Sequence, residues 1–178
     1  GNFKPAPASP PVAAIVESWN GTNWTEVGDL NTGRSYTTSS GNTNTEVTTS
    51  GGMAGDSPGA AYANTELWNG TAWTETTDLA TARGASGSIG GGFSSALQVG
   101  GTPSATTETE EWVGAGVPVG AWASGNNLNT ARNQLAASGT QTSAIAAGGL
   151  VPPNSPSITA ETYNGTSWTE VNDLNTGR

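Results

Sequence analysis

The sequence predicts an all-β fold made of one four-stranded unit used repeatedly, and three observations predict it. A phrase recurs: Glu17 to Arg34 returns as Glu66 to Arg83 and as Glu161 to Arg178, with a weaker copy running from Glu110 or Glu111 through Trp112 and Trp122 to Arg132. The composition suits strands and tight turns, with 26 glycines, only 11% charged residues, and Thr, Ser, Asn and Ala standing in for Lys and Glu. Seven tryptophans in a chain of 178 residues require a core, which argues against disorder.

The spacing sets the boundaries. Trp24 to Arg34, Trp73 to Arg83, Trp122 to Arg132 and Trp168 to Arg178 are each ten positions apart. A leucine lies four before each of these arginines (Leu30, Leu79, Leu128, Leu174) and a threonine two before (Thr32, Thr81, Thr130, Thr176). Glycine pairs follow the first three, at Gly51-Gly52, Gly100-Gly101 and Gly148-Gly149. Residues 1–12 read as a leader or linker, 13–34 as the outer half of a unit, and 35–83, 84–132 and 133–178 as whole units.

Within a unit, small residues predict the two inner strands: in the second whole unit, Gly84 to Ser88 and Ser94 to Val99, with Gly90-Gly91-Gly92 as the turn. The outer strands follow as Thr65 to Trp68 and Trp73 to Thr76 in the first whole unit, joined across Asn69-Gly70-Thr71-Ala72. Asn-Gly is a strong hairpin signal because both residues tolerate positive φ. Flanking aromatics (Trp19 and Trp24, Trp68 and Trp73, Trp112 and Trp122, Tyr163 and Trp168) are expected to pack as anchors. In the third such hairpin Val113 to Ala121 replaces the short turn, which predicts a protruding tip.

A strand ending in Gly-Gly, a Glu-x-aromatic strand, a tight turn, a Trp and an Arg together resemble the kelch repeat. The arginine period of 49, 49 and 46 residues compares with about 50 for that family. The third copy departs from the pattern in its long tip and in Asn127, which stands where Asp29, Asp78 and Asp173 stand. The resemblance implies a kelch-like β-propeller, of which this chain holds about three and a half four-stranded blades. The chain alone is expected not to close a ring, and the natural polypeptide to continue past Arg178 or belong to a larger assembly. The wording N-G-T-x-W-T-E-x-x-D-L-x-T is also similar to repeats of uncharacterised marine bacterial and phage proteins.

Function is bounded mainly by exclusion. Net charge is −9, with Lys4 and the four repeat arginines Arg34, Arg83, Arg132 and Arg178 as the only bases, so nucleic acid is not an expected partner. The longest apolar run, Val12 to Val16, is far short of a membrane-spanning helix, so no insertion is expected. With no Cys and no His, the imidazole base, the thiol nucleophile and the usual zinc ligands are missing. The copper-oxidase propeller needs such ligands. Ten of the 14 acids sit at repeat positions, which leaves no convergent carboxylate pair for glycoside hydrolysis. No enzyme activity, metal or cofactor is expected, although a weak calcium site of Asp, Asn and carbonyl ligands needs no sharp motif. A sialidase-like arginine cluster would need arginines that the repeat does not already use.

The four arginines read as blade-to-blade tethers. The Asn-x-Thr triplets at Asn20, Asn23, Asn69 and Asn164 would accept glycans in a eukaryotic secreted protein, but three of them are the hairpin Asn-Gly-Thr. Recognition is expected where units differ, on the links after each glycine pair: Met53 to Asn64, Thr102 to Thr107, and Leu150 to Thr159. The candidates are Met53, Asp56 and Tyr62, then Pro103, then Pro152, Pro153 and Asn154, gathered on one face of the disc. The expected role is a non-enzymatic structural or recognition module, outside the cell or on a virion or surface fibre, whose partner is a protein or a neutral glycan. The alternative is an intracellular kelch-type adaptor.

Overall fold

The computed structural model describes residues 12–55, 60–114 and 120–178. These residues form an all-β, propeller-like stack of antiparallel sheets. A two-stranded sheet, β1 (Glu17–Trp19) and β2 (Trp24–Glu26), comes first. The first full sheet is β3 (Thr38–Thr43), β4 (Glu46–Ser50), β5 (Thr65–Trp68) and β6 (Trp73–Thr76), paired in chain order. The second is β7 (Gly87–Gly91), β8 (Ser95–Val99), β9 (Thr109–Gly114) and β10 (Gly120–Ser124). The third is β11 (Ala136–Thr140), β12 (Ser143–Ala147), β15 (Ala160–Tyr163) and β16 (Trp168–Glu170). Between β12 and β15, the short strands β13 (Leu150–Val151) and β14 (Ser155–Pro156) pair with each other. The innermost strands β3, β7 and β11 lie side by side, which is why small residues crowd there.

The inner strands begin later than the sequence suggests. β7 starts at Gly87, not Gly84, and a 3-10 turn at Gly92–Ser94 joins it to β8. The physical reason lies at Ala85, which has φ 50° and gives its N–H to Tyr36 O of the preceding unit, while its own carbonyl accepts from Gln134 N. Tyr36, Ala85 and Gln134 hold the same place in their units and share φ of 50–52°. They link neighbouring units where extended strand would otherwise begin.

The outer hairpins follow one design. The aromatics are register partners in all four (Trp19 with Trp24, Trp68 with Trp73, Trp112 with Trp122, Tyr163 with Trp168), with ring centroids 4.9–5.5 Å apart. At the first, second and fourth turns only the glycine takes positive φ, and the asparagine works through its side chain. Asn69 Oδ1 accepts from the N–H groups of Thr71 and Ala72, and Asn20 and Asn164 do the same in their turns. This is an Asx turn, not the two-residue turn that Asn-Gly suggests. In the third hairpin the extra residues lengthen β9 and β10 as far as Gly114 and Gly120. The remaining tip residues, 115–119, lie outside the described residues.

The core lies between sheets. Leu97, Val99 and Ile89 of the second sheet pack with Leu135, Ala144, Ala146, Tyr163 and Trp168 of the third unit and with Leu128. A smaller cluster of Leu67, Ala96, Trp112 and Trp122 lies between the first and second sheets.

Candidate recognition cleft on a latched frame

The frame decides which side chains remain for a partner. Arg83 is nearly fully buried and bridges two units. Its backbone N–H donates to Tyr62 O and its carbonyl accepts from Gly52 N, both in the first unit. Its guanidinium reaches into the second, bonding Gly100 O at 3.4 Å and Glu108 O at 3.2 Å and forming an ion pair with buried Glu110. Glu108 adds a second carboxylate at 3.2 Å, half exposed. Arg132 repeats the arrangement onto the third sheet, through Gly148 O, Thr159 O and Glu161, the last at 2.8 Å. Arg34 does so onto the first, through Gly51 O, Asn64 O and Glu66. Arg178 has its backbone tied to Ser157 O and Gly149 N, and is exposed.

The glutamates complete the latch from their other oxygen. Glu66 accepts from Asn31, Glu110 from Ala80 N, and Glu161 from Asn129, so each carboxylate also holds the connector that carries the arginine. Burial pulls the Arg132 guanidinium below its ordinary pKa, and the adjoining Glu161 carboxylate opposes that. Such pairing is what makes a buried charge tolerable. Gly100 shows why the pair of glycines is required: it has φ 63°, and a Cβ there would run into the Arg132 carbonyl.

The tryptophans in the last strand of each full sheet point back one unit. Trp73 Nε1 donates to Gly28 O, Trp122 Nε1 to Thr65 Oγ1 and Trp168 Nε1 to Thr109 Oγ1, at 2.9–3.1 Å. Trp68 Nε1 donates to Asn44 O within its own sheet. Tyr163 donates its hydroxyl to Glu111, and burial together with this bond raises the phenol well above its ordinary pKa.

The first link does not present the residues expected of it. Met53 is 4% exposed, bridged to Ser35 and Ala61, with its Cγ lying 3.1 Å from where a Cβ on Gly84 would sit. It fills the space that Gly84 leaves and is therefore core, not a partner-binding residue. Tyr62 is half-buried with its ring 6.0 Å from the Arg34 guanidinium carbon, so it too serves the frame. Asp56 lies outside the described residues.

The second and third links behave differently. Pro103, Pro152, Pro153 and Asn154 are exposed and meet around one cleft of about 260 Å³, which Ser104, Ala105 and Asn133 complete. The cleft spans two units. Asn133 forms part of its lining, and sequence reasoning missed it. Its backbone is bridged to Leu150 in both directions, its side chain is buried, and Oδ1 has no hydrogen-bond partner. At the same place in the other units stand Ser35, whose hydroxyl donates to Gly55 O at 2.6 Å, and Gly84. The signal was present in that column: one residue too large and too polar for a frame position with no bond to make.

A larger cleft of about 540 Å³ lies between the two-stranded sheet and the first full sheet. Its walls, Val16 to Trp19 against Thr37, Ser39, Val47 and Thr49, flank the place that an inner hairpin occupies in each full sheet. It belongs to the frame. Among the described residues no three acidic side chains gather as a metal site would require, and no helix is long and apolar enough to cross a membrane.

In fold the chain is similar to the protein YjhT, with a TM-score of 0.74 over 92% of this chain at 13% sequence identity. It spans 63% of that protein's length. At such identity the likeness speaks for the fold alone. No family model and no curated protein matches the sequence.

Proposed function

We propose that the chain is a non-enzymatic recognition module of kelch type, displayed outside a cell or on a virus particle, which offers variable links on a latched propeller frame. The observation that carries this reading is the cleft between the second and third links, where residues that vary between units and bond little to the frame converge. Arg34, Arg83 and Arg132, their partners Glu66, Glu110 and Glu161, and the glycine pairs are taken up in bonds between units, as are the indoles of Trp73, Trp122 and Trp168, so they have little left to offer a substrate. The kelch assignment rests on the repeat spacing and its residues. Display outside the cell is supported by the Thr-, Asn- and Gly-rich surface with a single lysine and by the similarity of the repeat wording to phage proteins.

The test is a binding screen of the labelled chain against arrays of neutral polysaccharides and of purified surface proteins. It is repeated with a variant in which residues 103–105 and 152–154 become glycine and serine. The expected result is at least one ligand that the natural sequence holds and the link variant loses at an unchanged melting temperature. Ligands kept by the link variant but lost in Trp24→Ala, an exposed residue of the two-stranded sheet that does not line the cleft, would overturn the reading.

A further inference from the structure

We infer that the cleft around Asn133 is a subsite for one uncharged sugar ring of a neutral glycan, with the Asn133 amide as its central hydrogen-bonding group. The inference rests on the recognition reading above and gives it a ligand class.

Asn133 is 8% exposed, and its Oδ1 is one of two buried side-chain polar atoms without a partner among the described residues; the other is Arg132 Nε, within a latch. Leaving such an acceptor unpaired opposes folding, and a frame position with Ser or Gly in the other units does not require it. An unpaired amide oxygen on a residue that lines a cleft fits a donor that arrives from outside. Asn154 is unusual in a second way. It is exposed with φ 141°, whereas the other non-glycine residues with positive φ among the described residues, Tyr36, Ala85 and Gln134, share one repeat position that explains them. Asn154 closes the turn between β13 and β14, its N–H donating to Val151 O, and a left-handed turn residue at a cleft is a feature of binding loops.

The lining selects the chemistry. Its polar groups are the Ser104 hydroxyl and the amides of Asn133 and Asn154, and its apolar faces are the rings of Pro103, Pro152 and Pro153. Among the described residues, none that lines it is charged. An anion would find no cation among them and would approach a chain of net charge −9; a metal cation would find no carboxylate among them. A sugar hydroxyl both donates and accepts, so it can satisfy either end of an amide, while ring C–H groups lie against the prolines. A volume of about 260 Å³ is below the ~300–1,000 Å³ of pockets for drug-sized ligands, which suits one ring at a time.

Peptide is the competing ligand, and the geometry disfavours its two usual modes. Strand addition needs a free sheet edge. Here Asn133 and Leu150 exchange both main-chain bonds, and β13 is paired with β14. Polyproline recognition uses aromatic-lined grooves, and among the described residues no aromatic lines this cleft.

The experiment follows the side-chain amide resonances of Asn133 and Asn154 while glucose-, galactose- and mannose-based tetrasaccharides are added separately to the full chain at millimolar concentrations. A neutral proline-containing peptide serves as the control arm. At least one saccharide is expected to shift both resonances saturably. Asn133→Ala should weaken that binding about tenfold or more, the equivalent of one or two hydrogen bonds, with a melting temperature equal to or above that of the natural sequence. A fall in melting temperature with unchanged saccharide affinity would mean that Asn133 is structural, and would overturn the inference. Shifts with the peptide and none with any saccharide would overturn the ligand class while leaving link-based recognition standing. No shift with either probe also overturns it, and the array screen with the link variant then decides the broader reading separately. Ser104→Ala, at an exposed loop position, supplies a second variant with no folding role, and it too should weaken the saccharide.

Discussion

The seam between the first and second full sheets and the seam between the second and third use the same four repeat positions with opposite chemistry. In the first, Thr38, Ser50, Ser86 and Gln98 form a buried chain: Ser50 Oγ donates to Gln98 Oε1, Gln98 Nε2 donates to Ser86 Oγ, and Ser86 meets Thr38, each at 2.7 Å. In the second those positions hold Gly87, Val99, Leu135 and Ala146, all within or against the apolar core. The substitution is concerted. Gly87 lacks a Cβ because one would lie 2.9 Å from Ala137, 3.0 Å from Val99 and 3.2 Å from Leu135, so the small residue is the counterpart of the large one. The Arg–Glu latch is the same at both seams. What the difference teaches is that the latch and the glycine pair set the placement of one sheet on the next, while the filling need only be complete and internally satisfied.

The largest expected effect tests the shared part of that comparison. Arg83→Met and Arg132→Met each strand a buried carboxylate, Glu110 or Glu161, and should each cost about 3–5 kcal/mol. Chemical denaturation of the two variants measures it. Similar losses at both seams support a common latch, whereas a loss confined to one seam would show that the filling, not the latch, holds the sheets.

A smaller effect tests the part that differs. In the apolar seam Leu135→Ala should cost about 2–5 kcal/mol through the cavity it leaves. In the polar seam Gln98→Ala should cost about 1–3 kcal/mol because it strands the Ser50 and Ser86 hydroxyls. Removing those hydroxyls as well, with Ser50→Ala and Ser86→Ala in a Gln98→Leu background, should return most of that loss. If the triple variant is as unstable as Gln98→Ala, the polar chain is contributing more than mutual satisfaction, and the two fillings are not equivalent.

The same contrast shows what the sequence could tell. The all-β class and the outer strands were legible because Trp, Arg and Gly-Gly recur at fixed spacing, and each marks a bond that recurs from unit to unit. Strand β5 falls at Thr65–Trp68 and β6 at Trp73–Thr76, the bounds that the pattern implies. The start of the inner strands was not legible, since a left-handed Tyr36, Ala85 or Gln134 carries no residue signature when the conformation is imposed by a bond to the next unit. Met53 and Asn133 illustrate the harder failure. Repeat comparison separates constant from variable positions, and Met53 is variable yet buried because it compensates for Gly84, a residue of another unit. Asn133 sits beside a constant arginine and yet lines the cleft. Variation marks freedom from the repeat, which is a different property from exposure.

The smallest effect concerns the one aromatic anchor with a titratable group. At the position of Trp19, Trp68 and Trp112 the last unit has Tyr163, buried, with its hydroxyl donated across the apolar seam to Glu111. Burial first, then the bond to Glu111, raises its pKa above the ordinary value of 10.0. The folded state therefore favours the protonated phenol more than the unfolded chain does. Its contribution to stability is complete below the unfolded value near pH 10 and is lost as pH rises from there toward the higher folded value. Tyr163→Phe should cost about 0.5–1.5 kcal/mol at neutral pH, the net worth of one hydrogen bond. It should also flatten the decline in stability between about pH 9 and pH 11, where the natural chain begins to lose its tyrosine contribution. Denaturation at a series of pH values on both chains measures this. If the two curves stay parallel through that range, the alkaline loss comes from elsewhere, and the hydroxyl contributes nothing to the apolar seam that the ring alone does not.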